Sequence, residues 1–210
     1  MIILCSFHIL KHYYYLQEIQ QATASEPLTL QEEYDMQQSW RQDADKLTFI
    51  VCAPIRRHQR SMVDDHDDSP DNMLGDVNLF LRVEDDNAIV GEVELMIAEK
   101  RCRRVGYGRA ALLALLKYIA DRQGEIQAEF ATTTTTPPNN LSRLSAKIGQ
   151  TNVKSLALFE SVGFTKLSGE PNYFGELELI RDHVGLEGVK DELLLERAGL
   201  GRYVEMPYRS

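Results

Sequence analysis

ELMIAEKRCRRVGYGRAA, residues 94–111, joins three kinds of sequence in one short stretch. A strand-like run ends near Ala98, a basic loop follows, and a helix begins near Gly106 or Gly108. The first N–H groups of a helix have no partner within it, and the macrodipole places about half a positive charge at that end. Anions bind there readily. Gly106 and Gly108 let the chain bend and let a phosphate approach the backbone. Arg101, Arg103, Arg104 and Arg109 crowd the same place in a chain whose net charge is −9. Like charges gathered so closely call for a counter-ion, and a phosphate-bearing ligand supplies one.

Two phosphate sites share this outline. Residues 106–111 (GYGRAA) match the G-x-G-x-x-A dinucleotide fingerprint. That fingerprint belongs directly after the first strand of a parallel βαβ unit, with an acidic ribose ligand about 20 residues on. Here the preceding strand reads as the second arm of a hairpin, the loop 99–105 intervenes, and Asp121 comes too early. The dinucleotide reading fails on context. The other pattern is [Q/R]-x-x-G-x-[G/A], which Arg103-Arg104-Val105-Gly106-Tyr107-Gly108 satisfies.

Outward from this core, 73–81 and 88–98 read as strands joined by a turn holding Glu84, Asp85, Asp86 and Asn87. Upstream, Thr29 and Glu32 form a capping-box pattern for a helix within 25–40, and 47–52 is rich in strand formers. The polar stretch 53–72 reads as a surface loop. Downstream, 106–120 is a strong helix, and ATTTTTPPNN at 131–140 reads as an exposed insertion. Residues 141–148 alternate as a strand, 152–162 have helical spacing ended by Gly163, 173–180 read as a further strand, and 186–197 as a last helix. The order describes an α/β (α+β) domain around a mixed sheet.

The acidic balance, with a sequence pI of about 5.1, argues against a nucleic-acid partner outside a local basic patch. Met1 to Leu10 is apolar but far shorter than the roughly 20 residues of a membrane span. It also lacks the basic start and small-residue cleavage site of a secretory leader. Cys5, Cys52 and Cys102 are scattered, as are His8, His12, His58, His66 and His183, without metal-ligand spacing. A soluble, cytoplasmic protein without a metal is expected.

The phosphate loop has a companion. A strand over 141–148 is followed by Asn152-Val153-Lys154-Ser155 and a helix that ends in Gly163-Phe164. The two patterns in this order resemble the GNAT superfamily of N-acetyltransferases, whose diphosphate loop follows the fourth strand and opens the third helix. ATASEPLTLQEEYDMQQSW, DADKLTFIV, GDVNLFL, GEVELMIAEKRCR, AKIGQTN and the closing MPYR are similar to the N-acetyltransferase 9 group, proposed as tubulin acetyltransferases. The likeness covers most of 20–180 and falls off over 1–19. There HYYYLQEIQQ looks like part of a first helix, and MIILCSFHIL stands where relatives have a first strand.

The resemblance implies a GNAT domain over 20–180 followed by a C-terminal extension, with acetyl-CoA as co-substrate. It implies that the backbone from Ile97 through Ala98 to Glu99 pairs with the pantetheine arm. Main-chain N–H groups from Val105 to Ala110 would hold the diphosphate, with Arg103, Arg104 and Arg109 around Tyr107. Asn152 and Ser155 would meet the pantetheine or acetyl end, although Asn152 equally suits an N-cap. Candidate proton acceptors are Glu92 and Glu94, which share one strand face. A hairpin centred near Asp85 would place Asn78 and Asp76 opposite them. Two positions depart from the family: Lys147 stands where some relatives place a glutamate, and Phe159 where many carry a tyrosine acid. The leaving thiolate would then be protonated by water or by another group, with Tyr173 a candidate donor that reads more simply as a core or surface aromatic. The implied acceptor is an amine of a protein or peptide, with tubulin expected. A non-catalytic CoA-binding module and a small-molecule amine acetyltransferase remain the other readings.

Overall fold

A computed structural model describes residues 3–6, 29–53, 70–135, 138–184 and 189–198. Along them run β1 (Ile3–Ser6), α1 (Leu30–Gln42), β2 (Lys46–Cys52), β3 (Met73–Val83) and β4 (Ile89–Ile97). Then follow α2 (Tyr107–Ala131), β5 (Leu141–Gly149), α3 (Val153–Glu160), β6 (Thr165–Lys166), β7 (Glu176–Arg181) and α4 (Val189–Arg197). The strands form one sheet in the order β1-β2-β3-β4-β5-β7-β6. Neighbours are antiparallel except β4 and β5, and a parallel pair needs a crossover, which α2 provides. This is the mixed, mostly antiparallel α+β sheet that the sequence implies.

Local chemistry sets most boundaries. The Thr29 hydroxyl accepts from the Glu32 amide while the Glu32 carboxylate accepts from the Thr29 amide at 2.7 Å, a complete capping box. Asn152 caps α3 by accepting from the Ser155 amide, and Gly163, at φ 94°, closes it. Ile3–Ser6 pairs antiparallel with β2, so part of MIILCSFHIL does fill the place of a first strand.

Several expectations need correction. The first is α2, which continues eleven residues past 120 to Ala131. Lys117 bonds Asp121, Arg122 bonds Glu125, and Ile126 and Phe130 are buried, so the segment is amphipathic where it looked only polar. Residues 173–175 are a turn, with the strand beginning at Glu176. Asn172 Oδ1 accepts from the amides of Phe174 and Glu176, and Gly175 takes φ 78°. The β3–β4 hairpin pairs Asn78 with Glu94 and Asp76 with Met96, a register two residues off the one that a centre at Asp85 gives. The reason is its turn: the Asn87 amide bonds Glu84 O at 2.9 Å and the Glu84 amide bonds Ala88 O at 3.0 Å. A shift of two preserves which face each residue occupies. The insertion at 131–140 is largely exposed where it is described, as expected, and its Asn139 is bonded to the carbonyls of Asn87 and Asp86. Most of the loop expected at 53–72 lies outside the described residues, as do the possible helix remnant at 12–21 and the closing MPYR.

The two faces of the sheet differ. One carries Val51, Val77, Leu79, Val93, Leu144 and Leu179, which form one buried cluster with α2, α3 and the neighbouring Phe164. Leu112, Leu113, Leu115 and Leu116 of α2 are all fully buried, so this helix is apolar nearly all round. Leu194 and Leu195 of α4 pack onto the same cluster. On the opposite face, cross-strand neighbours are Lys46, Thr48, Asn78, Glu92, Glu94, Ser145, Lys147 and Glu178.

At the end of β4 the amides of Ala98 and Glu99 both bond Leu74 O, at 2.8 and 3.3 Å. Two successive donors on one acceptor are the mark of a bulge, and the strand turns there into the arginine loop. Gly75 sits beside it, where an added Cβ would lie 1.9 Å from Met96 O and 2.9 Å from Ile97 Cα. Gly75→Ala should lower stability by on the order of 2–3 kcal/mol in urea unfolding. Gly149→Ala is the control: a Cβ there meets nothing within 4 Å, and the change should stay within about 0.5 kcal/mol.

Candidate active site

The ladder between β4 and β5 runs from Ile89/Leu141 to Glu92/Ser145, and among the described residues it goes no further. Beyond Glu92 one edge of β4 is therefore unpaired. The Ile89 amide bonds Asn140 O on the β5 side, whereas the Ala98 amide bonds Leu74 O on the β3 side. Main-chain groups alternate sides along a strand, so those of Leu95 and Ile97 face the opening. The amides of Ala98 and Glu99 do not: both are spent on Leu74. This narrows the strand edge expected at Ile97–Glu99 and moves it toward Leu95.

The start of α2 closes one end of this cleft. Gly106 is the N-cap, with φ 104° and no side chain to cap the helix. The first intrahelical bond runs from the Ala110 amide to Gly106 O, at 3.0 Å. No acceptor among the described residues meets the amides of Tyr107, Gly108 or Arg109. Arg104 is also left-handed, at φ 67°, and such residues curl successive amides into an anion-sized concavity. An added Cβ on Gly108 would lie 3.6 to 3.7 Å from Leu95, Ile97 and Leu158, so this α-carbon sits at the throat between β4 and α3. A group reaching from the helix start to the edge of β4 passes this point.

The arginines divide. Arg103 donates from Nε to Ile97 O at 2.7 Å and from Nη2 to Ala98 O at 3.0 Å, tying the loop to the end of the strand. Arg101 pairs with Glu99 at 3.3 Å. Arg104 and Arg109 are exposed, and no described residue forms an ion pair with either. Val105 is exposed and Tyr107 packs partly on the core. Asn152 and Ser155 stand at the start of α3, where the asparagine performs its capping role.

The carboxylates divide too. Glu92 accepts from Lys147 Nζ at 2.8 Å and lies 3.1 Å from Arg82 Nη1, while Arg82 is also 4.0 Å from Glu178. Lys147 and Glu178 are cross-strand neighbours, so alternating charges link β3, β4, β5 and β7 where the ladder ends. Neither the arginine nor the ring was anticipated; the two-residue register alone would have brought them together. Glu94 has no such pair among the described residues. Loss of hydration, then the negative Glu92, raises its pKa above the usual range, against the pull of Lys46 and Lys147. Asp76, diagonal to it, is pushed up to about 6, chiefly by burial. The Asn78 Nδ2 donor at 2.6 Å and Lys46 oppose that rise, while Glu94 adds to it. Burial in turn lowers Lys46, with Glu94, Asp43, Asp76 and Asp45 opposing. Phe159 is buried edge-on against Phe164 and has no proton to give. Tyr173 stands 97 % exposed at its turn.

A family profile described as "Acetyltransferase (GNAT) domain" matches residues 9–165. The chain belongs to the GNAT acetyltransferase family. It is 38% identical over 174 residues to an N-acetyltransferase 9-like protein of Nematostella vectensis, covering 82% of this chain and 76% of that one. It is 36% identical over 193 residues to the human alpha/beta-tubulin-N-acetyltransferase 9, covering 92% and 80%. Among solved structures, a spermidine N-acetyltransferase from Vibrio cholerae in complex with CoA and spermine superposes with a TM-score of 0.59 at 13% identity, covering 86% and 94%. An N-acetyltransferase from Campylobacter jejuni in complex with acetyl coenzyme A gives 0.52 at 15% identity, covering 87% and 99%. At these identities the structures speak for the fold alone. Membership makes this GNAT chain an N-acetyltransferase, and no helix among its described residues is long and apolar enough to cross a membrane.

Asp76 makes a stability prediction. Its folded pKa of about 6 lies above the ordinary 3.8, so the native state holds a proton that the unfolded chain releases. That contribution is complete below about pH 4 and is lost as pH rises through 6. Asp76→Asn, neutral and nearly isosteric, should therefore raise stability at pH 7 by on the order of 2 kcal/mol. It should also flatten the slope of stability between about pH 4 and 6, measured by urea unfolding across pH.

Proposed function

We propose that this protein transfers the acetyl group of acetyl-CoA to an amine of a protein in the cytoplasm, with an N-terminal α-amine as acceptor and tubulin as its source. The name of the human relative supports the acceptor. The observation that carries the reading is the unengaged helix start of α2 beside the unpaired edge of β4. The amides of Tyr107, Gly108 and Arg109 suit a diphosphate, with Val105, Arg104 and Arg109 around it. The main chain of Leu95 and the amide of Ile97 suit the amide-bearing pantetheine arm, and Asn152 and Ser155 flank its far end. In this scheme Ala98 and Arg103 shape the site through their bonds to Leu74 and to the strand carbonyls.

The attacking nitrogen must be neutral. At pH 7 about one α-amine in ten is unprotonated, against roughly one lysine in several thousand, so an N-terminal acceptor asks less of the site. Because the diphosphate end lies on the helix-covered side of the sheet, the amine arrives from the polar side, where Glu92 and Glu94 stand. Of these two, Glu94 is the one without an ion pair among the described residues. Phe159 leaves the departing thiolate to be protonated by water.

Calorimetry with acetyl-CoA and mass spectrometry of products on tubulin N-terminal peptides, lysine peptides and polyamines test this reading. Binding with no product from any amine would favour a non-catalytic CoA-binding module. Product from polyamines alone would favour a small-molecule enzyme. Gly108→Glu places a negative side chain in the throat, where a Cβ itself has room. It should weaken acetyl-CoA binding by about 100-fold or more, as expected when an anion is set against a phosphate site, while the unfolding midpoint barely moves. Unchanged affinity would overturn the placement of the diphosphate.

A further inference from the structure

We propose that Asp76, from β3, is the proton acceptor for the incoming amine, and that Glu92 is held out of that role by Lys147 and Arg82. The assignment rests on the acetyltransferase reading and adds to it a base and a preference among amines.

Position comes first. Asp76 pairs opposite Met96, on the segment of β4 that lies beyond its last rung with β5. It therefore stands level with the main chain of Leu95 and Ile97, at the open part of the cleft. Its face is the polar one, away from α2 and from the throat at Gly108. An amine approaching a thioester laid along β4 meets this face.

Availability comes second. Glu92 has two cations within 3.1 Å, one from β3 and one from β5. Asp76 Oδ2 accepts from one neutral donor, Asn78 Nδ2, at 2.6 Å. No donor among the described residues meets its other oxygen. The charged groups that face it are Lys46 from β2 and Glu94 from β4. Glu92, Lys147 and Glu176 act in turn on Glu94. Lys46 lies over the Phe80 ring at 4.8 Å. A carboxylate so enclosed, with one neutral bond and a spare lone pair, is costly to keep ionised and ready to take a proton.

The chemistry balances. The acceptor ammonium gives one proton to Asp76. The freed lone pair forms the N–C bond to the thioester carbonyl and the C–S bond breaks. The second nitrogen proton goes to the thiolate by way of water, and Asp76 returns its own to solvent. With Asp76 near 6, drawing a proton from an α-ammonium of pKa about 8 is uphill by roughly a hundredfold. From lysine, at about 10.4, it is uphill by more than about ten-thousandfold. The base suits α-amines.

The test is the pH dependence of kcat on a peptide with a free α-amine, at saturating acetyl-CoA, for the native chain and the variants Asp76→Asn, Asn78→Ala and Glu92→Gln. The native profile should fall on its acid side near pH 6. Asp76→Asn should lose that limb and about 100-fold in kcat, a typical general-base effect, with the KM for acetyl-CoA unchanged. Asn78→Ala removes the bond that favours the ionised form, so it should move the limb to higher pH, which a purely structural role would not do. Glu92→Gln should keep the limb in place. Asp76→Asn with kcat within about threefold of native, or a limb lost in Glu92→Gln and kept in Asp76→Asn, would overturn the role of Asp76 alone. A native chain that binds acetyl-CoA and acetylates no amine would overturn the enzymatic reading and this base with it.

Discussion

Parallel pairing between β4 and β5 lasts from Ile89 to Glu92, and the rest of the site follows from where it stops. On one side of the break β1, β2, β3 and β4 follow one another in chain order, each antiparallel to the next, and on the other are β5, β7 and β6. Backbone groups in a closed sheet are consumed by their neighbours. Here the main chain of Leu95 and the amide of Ile97 keep a free side, and a cleft opens without any loop having to form it. The bulge at Ala98 and Glu99 then turns the chain directly from that edge into the helix start. Strand edge and anion site are thus held by consecutive residues, and the Arg103 bonds to the Ile97 and Ala98 carbonyls fix the one against the other.

Charge is sorted by the same geometry. The arginines gather on the loop before α2, whereas the carboxylates stand on the opposite face of the sheet. A ligand with an anionic end and a reacting end is oriented by that division alone, since each end is repelled from the wrong place. The ring of Arg82, Glu92, Lys147 and Glu178 sits at the fork and joins strands that no longer share a ladder beyond it. Lys147, in the position where some relatives have a glutamate, is in this chain part of the framework.

Legibility in the sequence followed the range of the interactions. Capping at Thr29 and Asn152, the closing of α3 at Gly163 and the glycine turn at 106 are local, and each was readable from a few residues. The extent of α2 was not. Asp121 to Glu129 look polar until Ile126 and Phe130 are seen to reach the core. The turn at 172–175 was hidden because Tyr173 and Phe174 are strand formers by type, and only the Asn172 side chain reveals that the backbone is bent. A hairpin centred one residue early shifts the register by two, which kept the faces right and the partners wrong. That error separated Glu92 from Phe80 and Asp76 from Met96, the pairings on which the division of labour among the carboxylates depends.

The polar face also explains a cost. A sheet surface that partly encloses Asp76, Glu94 and Lys46 disfavours the charged form of all three, and an apolar surface of the same shape would hold together better. Folding alone gives no reason to keep Asp76, whose proton affinity works against the native state at neutral pH. The apolar face, where Leu112 to Leu116 are sealed against β3, β4 and β5, supplies the stability that tolerates it. Groups with raised pKa values that the fold must carry against its own interest gather where chemistry needs a base near neutrality. In this chain they gather on β3 and β4, level with the break in the sheet.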